Sequence, residues 1–285
     1  MKSVVITGVS SGIGWGATKV LIQKGFHVFG SVRKPEDGAR LQKEFGNQFT
    51  PLLFDVTDEA AIKQAAETVR AALDGKTLAG LVNNAGIAVA GPLLHLPMAE
   101  FRQQIDVNLT GQLMVIQAFT PLLGADKSLE GTAGRIVNIS SVAGRNGAPF
   151  LGPYAASKFG FEGLSESLRR ELMPYGIDVV MIGPGAVATK IWEKADEIDV
   201  TPYLKTDYAE PLDKIRAYMS ANGAKGFPPE KLGRAIHKAL TTASPKVRYA
   251  VVPGRFANWT LPQLLPKRMV DRIFAKRIGL DKKLR

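Results

Sequence analysis

The chain has 285 residues, 45% of them apolar, which is enough to bury one sizeable core, and no stretch reads as a linker between two domains. With no cysteine there can be no disulfide framework or thiolate metal site; the three histidines, His27, His95 and His237, stand apart without ligand-spaced partners, so no metal is expected. The net charge is +11, yet no nucleic-acid-binding module is recognisable and no apolar run approaches the ~20 residues of a membrane span.

Short β-branched runs alternate with longer helical patterns, the order that a doubly wound parallel α/β sheet requires. Met1-Lys2 leads directly into a first strand, Val4 to Thr7, which leaves no room for a signal peptide and points to a soluble, cytoplasmic protein. That strand runs into Gly8-Val9-Ser10-Ser11-Gly12-Ile13-Gly14, and a helix is expected from Gly14 to Lys24. Glycines there permit a tight turn and close approach of backbone N–H groups to a diphosphate, whose charge meets the positive end of the helix beginning near Gly12. A purely structural glycine turn is the alternative, but a strand before and a helix after are the context of a dinucleotide-binding motif. Six further strands are expected at His27 to Val32, Pro51 to Phe54, Leu78 to Asn83, Arg135 to Ser140, Ile177 to Ile182 and Tyr249 to Val252. Helices are expected at Asp58 to Leu73, Met98 to Leu122, Tyr154 to Met173 and Pro229 to Thr242. The motifs fall at the carboxyl ends of strands, where open α/β sheets bind ligands.

The second strand ends Ser31-Val32-Arg33-Lys34. An acidic residue there would bond the ribose hydroxyls of NAD and repel a 2′-phosphate. None is present, and Arg33 offers a planar, permanently charged fork suited to phosphate, to which Ser10 or Ser11 could add a hydroxyl. The alternative is a solvated turn in which Glu36 and Asp37 partly cancel the charge of Arg33 and Lys34.

Past the middle, an apolar run ends in Ser140-Ser141, and Tyr154 and Lys158 follow, four residues apart, just after Pro153. On a helix that spacing puts both side chains on one face, and a neighbouring cation favours ionisation of a phenol whose pKa is otherwise near 10. Taken alone the spacing also fits a half-buried tyrosine beside a solvated lysine.

With the glycine-rich turn and these residues together, the chain resembles the short-chain dehydrogenase/reductase family, whose pattern is Thr-Gly-x-x-x-Gly-x-Gly near the N-terminus and Tyr-x-x-x-Lys past the middle. The match covers nearly the whole chain, with Asn83-Asn84-Ala85-Gly86 after the fourth strand, Asn108, Ser141 thirteen residues before Tyr154, and Pro184-Gly185 followed by Val187 and Thr189. The wording of Tyr154 to Leu168 and of the C-terminal third is most similar to the hydroxysteroid and retinol dehydrogenase branch. The resemblance implies Asn108, Ser141, Tyr154 and Lys158 as a catalytic tetrad, with Ser140 the lesser candidate. It implies NADP(H) as cofactor, Asp55 and Val56 bordering the adenine, Asn83 the adenosine ribose and Lys158 the nicotinamide ribose. Ala85, Gly86, Pro184, Gly185, Val187 and Thr189 would complete the cofactor site. Tyr154 would donate the proton in carbonyl reduction, Ser141 hold the oxygen, and Asn108 fix a water that relays protons to Lys158. Pairing through the helices at Met98 to Leu122 and Tyr154 to Met173 would give a homodimer or homotetramer.

The segment 189–227 carries Ile191, Trp192, Tyr203, Leu204, Tyr208, Tyr218 and Met219, consistent with a lid over an apolar substrate pocket whose other wall would be Val89, Val142, Phe150 and Leu151. Those aromatics could equally pack the lid onto the sheet. A bulky hydrophobic ketone or secondary alcohol, steroid-like, retinoid-like or aromatic, is the expected substrate. From Arg255 to Arg285 nine Lys/Arg face two Asp, and Met269, Val270, Ile273 and Phe274 stand at helical spacing, so a basic amphipathic extension could touch an anionic membrane surface, cap the pocket or dock on a partner subunit. Two rival classes are a catalytically silent NADP(H)-sensing protein, which would not need the full tetrad, and a membrane-associated scaffold acting through the basic tail.

Overall fold

The structure, a computed structural model, describes residues 1–189, 200–223 and 225–281, without the side chains of 218–222. In chain order the elements are β1 (Ser3–Ile6), α1 (Gly12–Gln23), β2 (His27–Val32), α2 (Pro35–Phe45), β3 (Phe49–Leu53), α3 (Glu59–Leu73), β4 (Gly80–Asn83), α4 (Met98–Ile105), α5 (Gly111–Phe119), β5 (Arg135–Ile139), α6 (Gly152–Glu171) and β6 (Asp178–Pro184). After them come α7 (Ala209–Gly223), α8 (Pro229–Thr241), β7 (Arg248–Val251), α9 (Leu261–Leu264) and α10 (Lys267–Ile278).

All seven strands pair in parallel in the order β3-β2-β1-β4-β5-β6-β7, so the chain reverses its direction of travel between β1 and β4. Side chains alternate along a strand, and here both faces are covered, which is why the strands read as continuous apolar runs. Val4, Ile6, Val28, Val137 and Val180 pack with Ala17 and Leu21 of α1, Leu41 of α2 and Leu232 and Ile236 of α8. Val5, Leu81, Ile136 and Val179 pack on the other face with Ile62 and Val69 of α3, Val115 and Phe119 of α5 and Phe161 of α6. The reversal opens a crevice at the carboxyl ends of β1 and β4, where the glycine-rich turn lies.

The expected single helix from Met98 to Leu122 is broken. Residues Asp106–Thr110 form a π turn between α4 and α5, and the Gly111 N–H reaches back five residues to the Asp106 carbonyl. The Gln112 side-chain amide takes the Val107 carbonyl at 2.8 Å, and a Cβ on Gly111 would stand 2.5 Å from the Val56 carbonyl oxygen, so the wide turn fits against the start of the β3–α3 connection. The helix α2 is an addition to the sequence reading, although Pro35 in its first turn with Glu36 and Asp37, and Lys43 in its last, are helix-terminus signals. β3 begins at Phe49 and includes Pro51, which a sheet tolerates because β3 is an edge strand.

A third apolar cluster joins Phe150, Tyr203, Leu212, Ile215 and Ile278, with Tyr208 against it. Phe150 and Tyr208 meet edge to face at 5.7 Å. Within 189–227, then, Tyr203 and Tyr208 pack α7 and the end of α10 onto the loop before α6, while Leu204 is exposed. Trp192 and Ile191 lie outside the described residues, as do the side chains of Tyr218 and Met219. The stripe expected in α10 is divided: Val270 is buried and Phe274 half-buried, whereas Met269 and Ile273 are about half exposed. Among the described residues no helix is long and apolar enough to cross a membrane.

Candidate active site

The glycine-rich turn is a cradle that side chains would fill. Gly8 and Gly12 take φ of 69° and 60°, in the left-handed region, where L side chains are strained. A Cβ on Gly8 would stand 2.9 Å from the Ala85 Cα, and one on Gly14 would overlap the Gly8 carbonyl oxygen and come within 2.6 Å of Asn84 Nδ2. Three polar side chains that the sequence reading passed over hold this turn. Ser31 Oγ accepts from the Gly8 N–H at 2.9 Å; Thr7 Oγ1 accepts from the N–H groups of both Asn84 and Ala85 at 2.9 Å; and Asn84 Nδ2 donates to the carbonyls of Thr7 and Gly8 at 2.9 and 3.0 Å. Ser11 caps α1 without a side-chain hydrogen bond, so the first-turn amides around Gly12, Ile13 and Gly14 are left for an anion.

The segment after β6 closes over this turn. Gly185 N–H bonds the Val251 carbonyl at 3.0 Å, Val187 bridges to Phe227, and a Cβ on Gly12 would lie 3.2 Å from Thr189 Cγ2. Of Pro184, Gly185, Val187 and Thr189, Thr189 lies against the glycine loop, while Gly185 and Val187 are held by Val251 and Phe227.

At the end of β2 the Arg33 side chain is two-thirds exposed, with Nη1 3.8 Å from Asp55 Oδ2, and Lys34 is exposed at the start of α2. Arg40 of α2 donates to the Ser10 carbonyl at 2.7 Å and pairs with Asp37 at 3.1 Å and Glu44 at 3.7 Å. Asp55 Oδ1 accepts from both the amide and the hydroxyl of Thr57. Val56 is 5% exposed and packs in the core, and Asn83 is 1% exposed with its side chain donating to Asn138 Oδ1 at 2.8 Å, so each would border a nucleotide through its main chain.

Ser141 follows β5, Tyr154 and Lys158 lie in the first two turns of α6, and the three converge. Ser141 Oγ caps a short 3-10 turn (Val142–Gly144) by accepting from the Ala143 N–H at 3.1 Å, and its hydroxyl also hydrogen-bonds Tyr154. Ser140 is buried just past the end of β5, 2% exposed against 9% for Ser141. Lys158 is 5% exposed, donates to the Ile139 carbonyl at 2.9 Å, and places its nitrogen 5.8 Å from the Tyr154 ring centroid. With the protein's own groups alone, burial raises the Tyr154 pKa above its ordinary value, and the Ser141 hydrogen bond pulls it back. The expected lowering by Lys158 is not what dominates, because burial acts on the lysine as well: it brings that ammonium down to about 8, against the favourable charge of Glu162. The result is a neutral phenol at neutral pH, the form that can give a proton.

Asn108 sits in the π turn, fully buried. Its Oδ1 accepts from the Ile87 N–H and its Nδ2 donates to the Ile87 carbonyl, both at 2.9 Å, and a Cβ on Gly86 would stand 3.1 Å from that Oδ1. Its side chain thus fixes the loop after β4. Gln104, also fully buried and not singled out from the sequence, bonds Ile87 and Val89 of the same loop. On the substrate side Val89, Val142 and Leu151 are half-buried, while Phe150, 8% exposed, spends its ring on the third apolar cluster instead of a pocket wall.

The cradle and the first-turn amides of α1 fit the diphosphate of a dinucleotide, with the Arg40 guanidinium beside Ser10. Residues 2–199 match the family model described as short chain dehydrogenase. The chain is 41% identical over 276 residues, 97% of each chain, to the NADPH-dependent 3-dehydrocapnine reductase of Ornithobacterium rhinotracheale. It is 35% identical to the uncharacterized oxidoreductase YbbO of Escherichia coli (strain K12), covering 95% of this chain and 93% of that one. It is 32% identical to the mitochondrial D-beta-hydroxybutyrate dehydrogenase of Bos taurus, covering 96% and 83%. In backbone it matches a short-chain dehydrogenase from Streptomyces avermitilis with a TM-score of 0.78 at 23% identity, over 99% of this chain and 98% of that one, a likeness of fold.

Proposed function

The chain belongs to the short-chain dehydrogenase family, an oxidoreductase acting on CH–OH and C=O groups, and from that premise we propose that it is an NADP(H)-dependent reductase of a bulky hydrophobic ketone. The observation that carries the reading is the meeting of Ser141, Tyr154 and the buried Lys158 beside the glycine cradle. When bound, the nicotinamide supplies hydride to the carbonyl carbon. Tyr154, neutral at pH 7, hydrogen-bonds the carbonyl oxygen as negative charge grows there and then gives up its proton. Ser141 holds the same oxygen, since its hydroxyl already meets the phenol. Lys158, anchored to Ile139, offers a positive charge to the ionised tyrosine and a donor to the nicotinamide ribose. Asn108 fixes the loop that, with a bound water, would return a proton through Lys158.

Preference for NADP(H) is supported by Arg33 at the end of β2, where no acidic residue stands, by Arg40 beside Ser10, and by the name of the reductase from Ornithobacterium rhinotracheale. A hydrophobic substrate is supported by Val142 next to Ser141 and by the half-buried Val89 and Leu151, with residues 189–227 as lid and 255–285 as an extension of one catalytic domain. Pairing of two or four copies is supported by Phe159 of α6, 47% exposed, and Met98 at the start of α4, 59% exposed. Contact of the tail with an anionic membrane surface is supported by exposed Phe256, Leu264, Met269 and Ile273 among its Lys and Arg residues.

The test is NADPH oxidation, followed by absorbance, over a panel of hydrophobic ketones. Turnover with NADPH well above that with NADH supports the reading. Tight NADPH binding without turnover on any ketone would replace it with a sensor, and neither binding nor turnover with a scaffold.

A further inference from the structure

Behind the candidate active site lies a buried ion cluster to which the reaction assigns no part. Glu162 is one helical turn past Lys158 on α6, its side chain 6% exposed. Arg145 Nε donates to its Oε2 at 3.0 Å, Arg248 Nε to its Oε1 and Oε2 at 3.0 and 3.1 Å, and Arg248 Nη2 approaches Oε1 at 2.9 Å. Arg248 comes from β7, at the far edge of the sheet, and its side chain is 13% exposed. Its Nη2 also donates to the main-chain carbonyl of Ser141 at 3.1 Å, and its guanidinium lies over the Trp259 ring, 4.2 Å from the centroid. The fold makes room for it: a Cβ on Gly183 of β6 would stand 2.6 Å from Arg248 Cζ, and one on Gly144 would stand 3.1 Å from Glu162 Cγ.

A buried ion pair is poor evidence for stability, since well-packed apolar residues often do as well. What an apolar pair could not do is hold the Ser141 carbonyl and keep a carboxylate near Lys158. We propose that Arg248 is a positioning residue: by bridging Glu162 to the Ser141 carbonyl it fixes the turn that aims the Ser141 hydroxyl, and by stacking on Trp259 it makes that turn depend on the C-terminal segment. The inference rests on the reductase reading for the purpose of the turn, but not for its mechanics. The planar fork is essential, because one guanidinium meets a carboxylate, a carbonyl and an aromatic face at once, which an ammonium cannot. Glu162 contributes through the same geometry, its charge favouring the ammonium form of Lys158.

The experiment uses the full chain and two variants, Arg248→Lys and Trp259→Leu. Three quantities are measured: amide hydrogen exchange across 140–146, NADPH affinity by fluorescence, and NADPH oxidation with phenanthrenequinone as the probe. Arg248→Lys should speed exchange at 140–146 about tenfold and lower kcat about tenfold, with NADPH affinity changed by less than about twofold. Trp259→Leu, on the half-exposed outer side, should move the same amides and kcat in the same direction, by about threefold. Exchange at 140–146 unchanged in both variants, or raised equally through the whole sheet, would overturn the proposal and leave a merely structural ion pair. Should Arg248→Lys fail to fold, the Trp259 variant decides alone. A wild-type chain that does not turn over the quinone would count against the reductase reading, while the exchange data still decide the positioning.

Discussion

The Lys158 ammonium donates to the Ile139 carbonyl at 2.9 Å while almost entirely out of water, so the candidate site holds a cation at the end of β5 at a cost to the fold. Burial brings its pKa down to about 8 from the ordinary 10.5. Between those values the unfolded chain keeps a proton that the folded chain has lost, so stability rises with pH through that window, and at neutral pH the charged lysine costs about 3 kcal/mol. Lys158→Met should therefore be the more stable protein at pH 7, by about 2 kcal/mol in urea unfolding, with the advantage gone by about pH 10, while turnover is lost. A variant less stable than wild type at pH 7 would mean that the Ile139 and Glu162 contacts outweigh burial.

Burial also keeps the Tyr154 phenol protonated at neutral pH, so loss of its hydroxyl removes the proton donor without removing a charge. Tyr154→Phe should lower kcat about 10³-fold, the scale of general acid catalysis, and leave NADPH affinity within about twofold. A residual rate within tenfold of wild type would assign the proton to another group.

Much of this was legible in the sequence because the signals were local. Gly8, Gly12 and Gly14 occupy positions where a Cβ is strained or blocked, and Ser141, Tyr154 and Lys158 are tied by spacing on one strand end and one helix. What was missed is what only the sheet brings together. Ser31 meets Gly8 across a strand pair, Asn84 reaches back from β4 to the carbonyls of Thr7 and Gly8, and Arg248 arrives from the edge strand to touch Ser141. Sequence spacing carries no trace of such contacts. The burial of the Val56 and Asn83 side chains is also set by the packed fold: each is turned into the core, which leaves the main chain to face the crevice. The π turn at Asn108 was hidden because no proline stands at Asp106–Thr110 to mark the break; Pro121 comes only after α5 has ended.

Arg33 extends from the end of β2 near Asp55, and Arg40 reaches from α2 to the Ser10 carbonyl while pairing with Asp37 and Glu44. If both meet a 2′-phosphate, Arg33→Ala and Arg40→Ala should each raise KM for NADPH about tenfold while KM for NADH stays within about twofold, as expected for loss of a charge-assisted contact that NADH never makes. An equal rise for both nucleotides in Arg40→Ala would show that it supports the loop instead of reading the phosphate.

The Asn84 amide is the pin between the glycine turn and β4, donating to two carbonyls that would otherwise lack it, and Gly14 leaves the space that the amide occupies. Two substitutions separate these roles. Asn84→Ala opens the pin but keeps the space, leaving the part-buried carbonyls of Thr7 and Gly8 without that donor, and should cost about 1–3 kcal/mol in urea unfolding with a modest rise in KM for NADPH. Gly14→Ala fills the space and forces the turn itself to shift, so it should impair NADPH binding far more than Asn84→Ala for a comparable loss of stability. Fluorescence titration of NADPH beside urea unfolding of both variants makes the comparison. Equal binding defects would mean that the turn is shaped by the pin alone, and that close approach of the chain to the nucleotide at Gly14 contributes nothing.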